Sequence, residues 1–572
     1  MKRGQIMDIE KYKFWKKRQD VVEEVVDTLK LNELPLKTVP DYMRRKRGIW
    51  YWTGALITIA FVYQVISGLL LLIYYTPSDP YYTTVNVIID TVPFGALFLA
   101  SHLYGAYAMI VLIYIHLFRN YFMGAYKKPR RLQWVTGVLL LAITIGVGFF
   151  GYSMTGDVLS SDATDVGRGI ALSTPILGAT LESLVFGNGT SLSLFTHMLS
   201  LHIIFTAIIG LLFGLHFFLA EANGMMPSNR KSKYTAPAVD KEDPSYKPWF
   251  PYNMAFMVQL ALYTFGILII IPSILMLING STVPASATNP PIPPLFSPFP
   301  SFAPTSPFAG YVPAYPPWFL LFIYKAVDFQ VFTGPMSPLI ASTVFGVVPL
   351  LYFLLIPFMD GSKDLHPLAR PMVTAFGILA VIYMVILSAW GALSPGIPIP
   401  PSEVYAVFIP PWVIVVGGMY FLNRMYRQNK FKVTSTKSIA SFLLFMFLLI
   451  FMVIELAENF SAFMNHTSAL NLVSTVLAGG ATSFVAFGTM KSAQVAERYQ
   501  PVKEPKQHVI SVNTAVIISA ILGIFAVAVI AMISMLNPVG VISEGEFGLG
   551  LGAILVISGL IMRLYRAAFY HE

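Results

Sequence analysis

The sequence predicts an all-α integral membrane protein of about 12 spans built around a four-helix core, and three observations predict it. Of 572 residues, 56% are hydrophobic and only 12% charged, with a mean hydropathy of +0.66; soluble proteins carry about 25% charged residues. Thirteen apolar segments approach the length needed to cross a bilayer. Four histidines and four glycines recur at a single spacing, 14 residues, on the first four of those segments. This composition excludes a soluble enzyme, a nucleic-acid binder and a disordered chain. The net charge of +9 is spread between apolar segments and reads as topology signals, not as a basic patch. Zero cysteines exclude disulfides, thiolate metal sites, iron–sulfur clusters and covalent c-type haem on this chain.

Residues 1–49 form a cytoplasmic N-terminal segment, too charged for the apolar region of a signal peptide. Within it, residues 10–31 read either as a membrane-surface helix with Trp15, Val22, Val25, Val26 and Leu29 on its apolar face or as an ordinary solvated cytosolic helix. The apolar segments lie near 50–74, 95–118, 134–152, 194–219, 253–278, 317–333, 338–358, 371–391, 404–424, 438–456, 467–489, 510–535 and 546–565. They group into a four-helix core (50–225), a second set (251–395) and an additional membrane extension (396–572).

Lys and Arg concentrate on the cytoplasmic side of membrane proteins. They cluster here in the N-terminal segment, in Arg119–Arg131 and in Arg230–Lys247, whereas residues 279–317 carry no charge. Thirteen spans would put the C-terminal tail outside, against the charges of Arg424–Lys437 and Lys491–Lys506 and against an acidic external loop with Glu544 and Glu546. Treating 404–424 as re-entrant or interfacial, broken at Pro410-Pro411, restores agreement. The expectation is 12 spans with both termini cytoplasmic in the cell membrane. Sequons at Asn188, Asn279, Asn459 and Asn465 all fall on the loops assigned outside.

An ionisable side chain inside a span calls for a function. His102 and His116 lie on the second span, His202 and His216 on the fourth. Fourteen residues return to within about 40° of the same helix face after a rise of about 21 Å. Each helix therefore presents two imidazoles, one near each membrane surface, and two such helices form stacked His–His pairs. A planar iron porphyrin with two axial imidazoles fits this arrangement, whereas zinc or copper would need clustered ligands. Gly54 and Gly68 on the first span, and Gly137 and Gly151 on the third, repeat the spacing. With alternating helix directions, Gly68, His102, Gly151 and His202 share the outer level, and Gly54, His116, Gly137 and His216 the inner one. His197 falls off this face.

These residues resemble cytochrome b of the bc-type, quinol-oxidising respiratory complexes over roughly residues 45–395. The matching pieces are Gln64-Val-Ile-Ser-Gly68, Tyr75-Thr-Pro77, His102-Leu-Tyr-Gly105, His116-Leu-Phe-Arg119 and Gly124-Ala-Tyr-Lys-Lys-Pro-Arg130, then Phe150-Gly-Tyr152, Leu201-His202, His216, Pro316-Pro-Trp-Phe319, Ile356-Pro-Phe and His366-Pro-Leu-Ala-Arg-Pro371. The resemblance implies two non-covalent haems, b-type or A-type, with His102 and His202 on the outer iron and His116 and His216 on the inner one. It implies that Arg119 pairs with an inner haem propionate. It implies quinol oxidation at an outer pocket formed by residues 152–193 and Pro316–Phe319, and quinone reduction at an inner pocket near Gly54, His216 and Pro251-Tyr-Asn253. A Rieske iron–sulfur protein would be a partner, a homodimer the assembly, and lipid the surroundings. The long C-terminal extension is similar to that of archaeal members that assemble with a terminal oxidase.

The chain departs from the family pattern in its outer pocket. Pro317 stands where the family has a glutamate that can accept a proton from quinol, and Leu99 where an arginine often precedes the first haem histidine. Asp157 and Trp318 are the candidate outer-pocket residues, with Asp157 either taking over proton acceptance or serving as a solvated loop carboxylate. The extension offers only His466 and His508 in loops, so it reads as lipid-facing or partner-facing. A haem-free 12-span transporter and a di-haem anchor of another quinone-linked oxidoreductase are the alternatives; no internal repeat favours the first.

Overall fold

The computed structural model describes residues 52–77, 81–223, 253–279, 294–428 and 510–569, the two-residue strands Val39–Pro40 and Tyr246–Lys247, and scattered positions between 445 and 485. The surface helix expected over 10–31, the apolar segments 438–456 and 467–489 for the most part, and His466 and His508 lie outside the described residues. Apart from that one antiparallel strand pair, the described structure is helical. The helices are α1 (Thr53–Leu72), α2 (Tyr81–Thr91), α3 (Gly95–Phe122), α4 (Arg131–Ser153), α5 (Val158–Leu172), α6 (Gly178–Phe186), α7 (Ser191–Asn223) and α8 (Met254–Asn279). They continue as α9 (Leu321–Val327), α10 (Ser337–Met359), α11 (Pro371–Leu393), α12 (Pro401–Arg427), α13 (Val512–Ile533) and α14 (Val541–Phe569). Among the described residues, ten of these are long and apolar enough to cross a membrane.

Two segments behave differently from the sequence reading. Residues 404–424 are no break. Helix α12 runs unbroken through Pro410 and Pro411 for 27 residues. A proline removes a donor and strains the preceding turn, but packing against a neighbouring helix can hold the segment; here Val415 and Met419 bury against Ile378 and Ile382 of α11, and the Tyr383 hydroxyl donates to the Phe408 carbonyl at 2.6 Å just before the two prolines. The segment that fails to span is 317–333. It forms a 3-10 turn at Trp318–Leu320 and the seven-residue α9, which ends in a polar knot. The fully buried Lys325 ammonium donates to Asp328 at 3.0 Å and to the carbonyls of Ser394 and Ile397 at 2.7 and 3.1 Å. That cation, buried among satisfied acceptors, stops the segment from being a lipid-facing helix.

Helices α1, α3, α4 and α7 form the four-helix core, α1 against α3 and α4 against α7. On the side where α3 ends, residues of the 124–130 stretch meet the turn after α10. Tyr126 and Lys127 both bond the Asp360 carboxylate, Lys127 as an ion pair at 2.9 Å. Arg370 donates to the Tyr126 hydroxyl, and to the Phe122 and Leu365 carbonyls at 2.9 Å each. Burial would raise the Asp360 carboxyl, but the bonds from Tyr126 and Lys127 outweigh it and hold it below its ordinary value. This cluster ties the core to the second helix set.

The last helix also corrects an expectation. Rather than facing only lipid or a partner, α14 lies along α8, and four glycines form its contact face. Gly545 meets Leu277, Gly548 meets Ser273, Gly552 meets Ile270, and Gly559 meets Tyr263. A methyl group on either Gly266 or Gly552 would come within 2.9 Å of the other's carbonyl oxygen. Such small-residue seams let membrane helices pack backbone to backbone. Farther along, Arg566 donates to Gln259 at 2.7 Å and covers the Phe256 ring. Glu544 sits in no external loop; it is a buried first-turn residue of α14.

Candidate functional site

At one end of the four-helix core, His102 of α3 and His202 of α7 face each other with ring centroids 6.3 Å apart and planes 60° apart. Gly68 of α1 backs His102 and Gly151 of α4 backs His202: a methyl group at these glycines would lie 3.1 and 2.9 Å from the respective Cε1 atoms. At the other end Gly54 backs His116 at 3.4 Å and Gly137 backs His216 at 3.1 Å. The helices thus bring together all eight residues, in two levels of Gly–His and His–Gly.

Each imidazole is also oriented through Nδ1. Ser67 Oγ lies 2.8 Å from His102 Nδ1 and donates its own proton to the Tyr63 carbonyl at 2.8 Å. The serine oxygen therefore accepts, and His102 carries its proton on Nδ1. Thr136 repeats the device, 3.0 Å from His216 Nδ1 and donating to Gln133 at 2.9 Å. Thr53 Oγ1 lies 2.8 Å from His116 Nδ1. His202 Nδ1 instead donates to the Val147 carbonyl at 2.9 Å. A hydrogen bond on one ring nitrogen fixes the tautomer and leaves the other free to ligate. The sequence held this signal unread: three of the four glycines directly follow a hydroxyl residue, as Thr53-Gly54, Ser67-Gly68 and Thr136-Gly137.

The outer pair fits a metal between two imidazoles. Two metal–nitrogen bonds of about 2.0 Å, with the rings' own depth, call for centroids roughly 6 Å apart, against the 6.3 Å found. The inner level has an extra contact, since Asn120 Nδ2 lies 3.1 Å from His116 Nε2 and Arg119 donates to Asn120 Oδ1 at 3.0 Å. Ligation by His116 requires that amide to turn aside. Arg119 thus acts on the histidine through Asn120.

Near the outer level, Trp318 stands edge-on to Tyr107 of α3, centroids 5.7 Å apart, and Phe319 fills the space over Gly148 of α4. Asp157 is buried, not a solvated loop residue. Its carboxylate caps α5 through Ser160 N–H at 3.0 Å, accepts from Thr155 at 3.2 Å and holds the Ser301 amide at 2.7 Å. The expected loop 152–193 consists largely of α5 and α6. On α5, half-buried Asp162 lies within electrostatic reach of Tyr152 and Tyr324; burial, with Asp165 and Asp157 nearby, pushes its carboxyl above the ordinary range. Sequence reasoning missed Asp162, because nothing in the sequence sets one loop aspartate apart from another. At the inner level Asn253 is fully buried; Pro251 and Tyr252 lie outside the described residues. His197 bonds the Ser193 carbonyl one turn back on its own helix at 2.7 Å.

Comparison with known proteins adds the following. The family model described as Cytochrome b(N-terminal)/b6/petB matches residues 107–286. A cytochrome b of Sulfolobus acidocaldarius is 40% identical over 427 residues, covering 72% of this chain and 73% of the relative. The menaquinol:cytochrome c reductase cytochrome b subunit of Bacillus subtilis is 34% identical over 180 residues, 31% of this chain and 80% of that subunit. Among solved structures, one titled Hyperthermophilic respiratory Complex III shares the fold, with a TM-score of 0.50 and 23% identity over 72% of this chain and 96% of its own.

Proposed function

Because this chain belongs to the cytochrome b family, we propose that it is the electron-transfer subunit of a bc-type respiratory complex, holding two haems between facing histidines. Family membership implies haem binding and sets the haem-free transporter aside. His102 and His202 would hold the outer iron, His116 and His216 the inner one, with Gly54, Gly68, Gly137 and Gly151 admitting the rings. The observation that carries the reading is the 6.3 Å His102–His202 pair with both Nδ1 atoms engaged elsewhere. When bound, haems so ligated supply one-electron redox chemistry and leave no open iron position.

The chain's own residues do the rest. Tyr107, Trp318 and Phe319 shape the outer pocket, and quinol is the proposed reductant there. Asp157 uses its carboxylate to hold the fold, so Asp162 is the better proton acceptor: its carboxylate oxygen takes the proton that Pro317 cannot. The core would be residues 50–225, the quinone-pocket helices 251–395, and the extension 396–572. The partners would be a Rieske iron–sulfur protein, terminal oxidase subunits and a second copy of this chain. Both termini would be cytoplasmic in this multi-pass membrane protein. A pyridine haemochrome spectrum with iron and protein quantified tests the reading. Two non-covalent haems per chain support it and separate b-type from A-type; a folded preparation without haem refutes it.

A further inference from the structure

Helix α3, which carries His102, begins without a cap of its own. Its N-cap residue is Phe94, at φ +59° in the left-handed region and with no side-chain acceptor to offer. First-turn amides have no partner within a helix. Here the acceptor arrives from 447 residues away. Glu544 of α14 is fully buried; its Oε2 accepts from the Leu97 amide at 2.9 Å and its Oε1 from the Gly540 amide at 3.2 Å. The seat is built on several sides. The Phe94 amide donates to the Pro538 carbonyl at 2.7 Å, the Phe94 and Phe547 rings lie 4.4 Å apart, and Gly548 lets Leu97 approach so closely that a methyl there would meet it at 2.7 Å. Leu97 precedes His102 by five residues, roughly 7.5 Å of helix rise.

We propose that Glu544 is a positioning residue for the outer haem: the last helix of the chain fixes the start of α3 and sets a carboxyl group, negative when ionised, at the end of the helix that bears His102. The proposal rests on the reading of His102 and His202 as haem ligands. Helix N-termini are the positive end of the dipole, and a carboxylate answers it. Low dielectric extends the reach of that charge, and a negative charge on this side favours the oxidised, more positive iron. The extension thereby tunes the outer haem and leaves the inner one, at the far end of α3, alone.

The test is a redox titration of the purified full chain at alkaline pH, where the Glu544 carboxyl is ionised, with haem content measured, for wild type, E544Q and E544D. E544Q keeps an acceptor for Leu97 and removes the charge. The expected result is two haems per chain throughout, an upward shift of the outer haem's midpoint in E544Q with the inner midpoint unmoved, and a return toward wild type in E544D. Retained haem with an unmoved outer midpoint in E544Q, or equal shifts at both haems, overturns the proposal and leaves the ligand reading standing. A wild-type chain without haem overturns both.

Discussion

Placing a methyl group at each of the four core glycines should produce a graded series, not a uniform loss. In Gly54→Ala the new carbon would sit 3.4 Å from His116 Cε1, an ordinary contact; Gly68→Ala and Gly137→Ala would bring it to 3.1 Å from His102 and His216; Gly151→Ala would bring it to 2.9 Å from His202 Cε1 and 3.1 Å from its Nδ1. Alanine in a helix interior gains about 1 kcal/mol over glycine, whereas overpacking costs typically 1–3 kcal/mol. At Gly54 the first effect wins, and the variant should bind haem and melt like wild type or slightly higher. At Gly151 the second wins, because His202 cannot retreat without lengthening its 2.9 Å bond to the Val147 carbonyl. A net penalty of about 1–2 kcal/mol corresponds to roughly a 5- to 30-fold weaker hold on the outer haem. Haem per chain by pyridine haemochrome, with band positions resolving the two haems, is the assay. Equal losses from Gly54→Ala and Gly151→Ala, or full outer occupancy in the latter, would refute the reasoning.

Three further outcomes are expected. Ser67→Ala removes the acceptor that orients His102 and should weaken outer haem binding about 10- to 100-fold, while inner haem content stays at wild-type level in the same spectra; loss of both haems together would contradict it. Asp162→Asn should slow quinol oxidation by about 100-fold or more at unchanged haem content, whereas Asp157→Asn should mainly lower the thermal midpoint, as loss of a helix cap of about 1 kcal/mol would; steady-state turnover beside a melting curve separates the two, and full turnover in Asp162→Asn would exclude it as the acceptor. The Asp360 carboxyl is held below its ordinary value, so the stability it adds is fully present above about pH 4 and is lost as pH falls through the depressed folded value. Melting curves of wild type and Asp360→Asn should converge on acidification below that point, and a gap independent of pH would show that charge is not what Asp360 contributes.

Much of the core was legible because periodicity states which residues share a helix face. The 14-residue interval of His102 and His116, and of Gly54 and Gly68, already dictated two levels, and the helices bring those residues together level by level. What stayed hidden depends on contacts between segments distant in sequence. Pro410-Pro411 look like a break in isolation, but whether a helix survives them depends on its packing, here Val415 and Met419 against Ile378 and Ile382 of α11. Lys325 lies inside the apolar segment 317–333, and its burial against Asp328 and the Ser394 and Ile397 carbonyls, which hydropathy does not report, is what keeps α9 short. The glycines of α14 stand at intervals of three, four and seven, a one-faced pattern readable in principle; hydropathy reports how apolar a helix is and not what it lies against. Asp157 and Asp162 are five residues apart in one expected loop, and only the burial and bonding around α5 give them different chemistry.

The cluster that joins Lys127 to Asp360 has a history written into chain order. Tyr126 precedes its carboxylate partner by 234 residues, so a nascent chain carries the 127–131 cations through the synthesis of α4, α7, α8 and α10 before that partner exists. On the orientation proposed above, the unmatched charge of Lys127 would serve during that interval as a retention signal for its hairpin. Once α10 has crossed and Asp360 emerges, the same ammonium closes on it and becomes an internal tie. On that orientation one side chain would work twice, first as a topology signal and then as a bolt between two hairpins already in place.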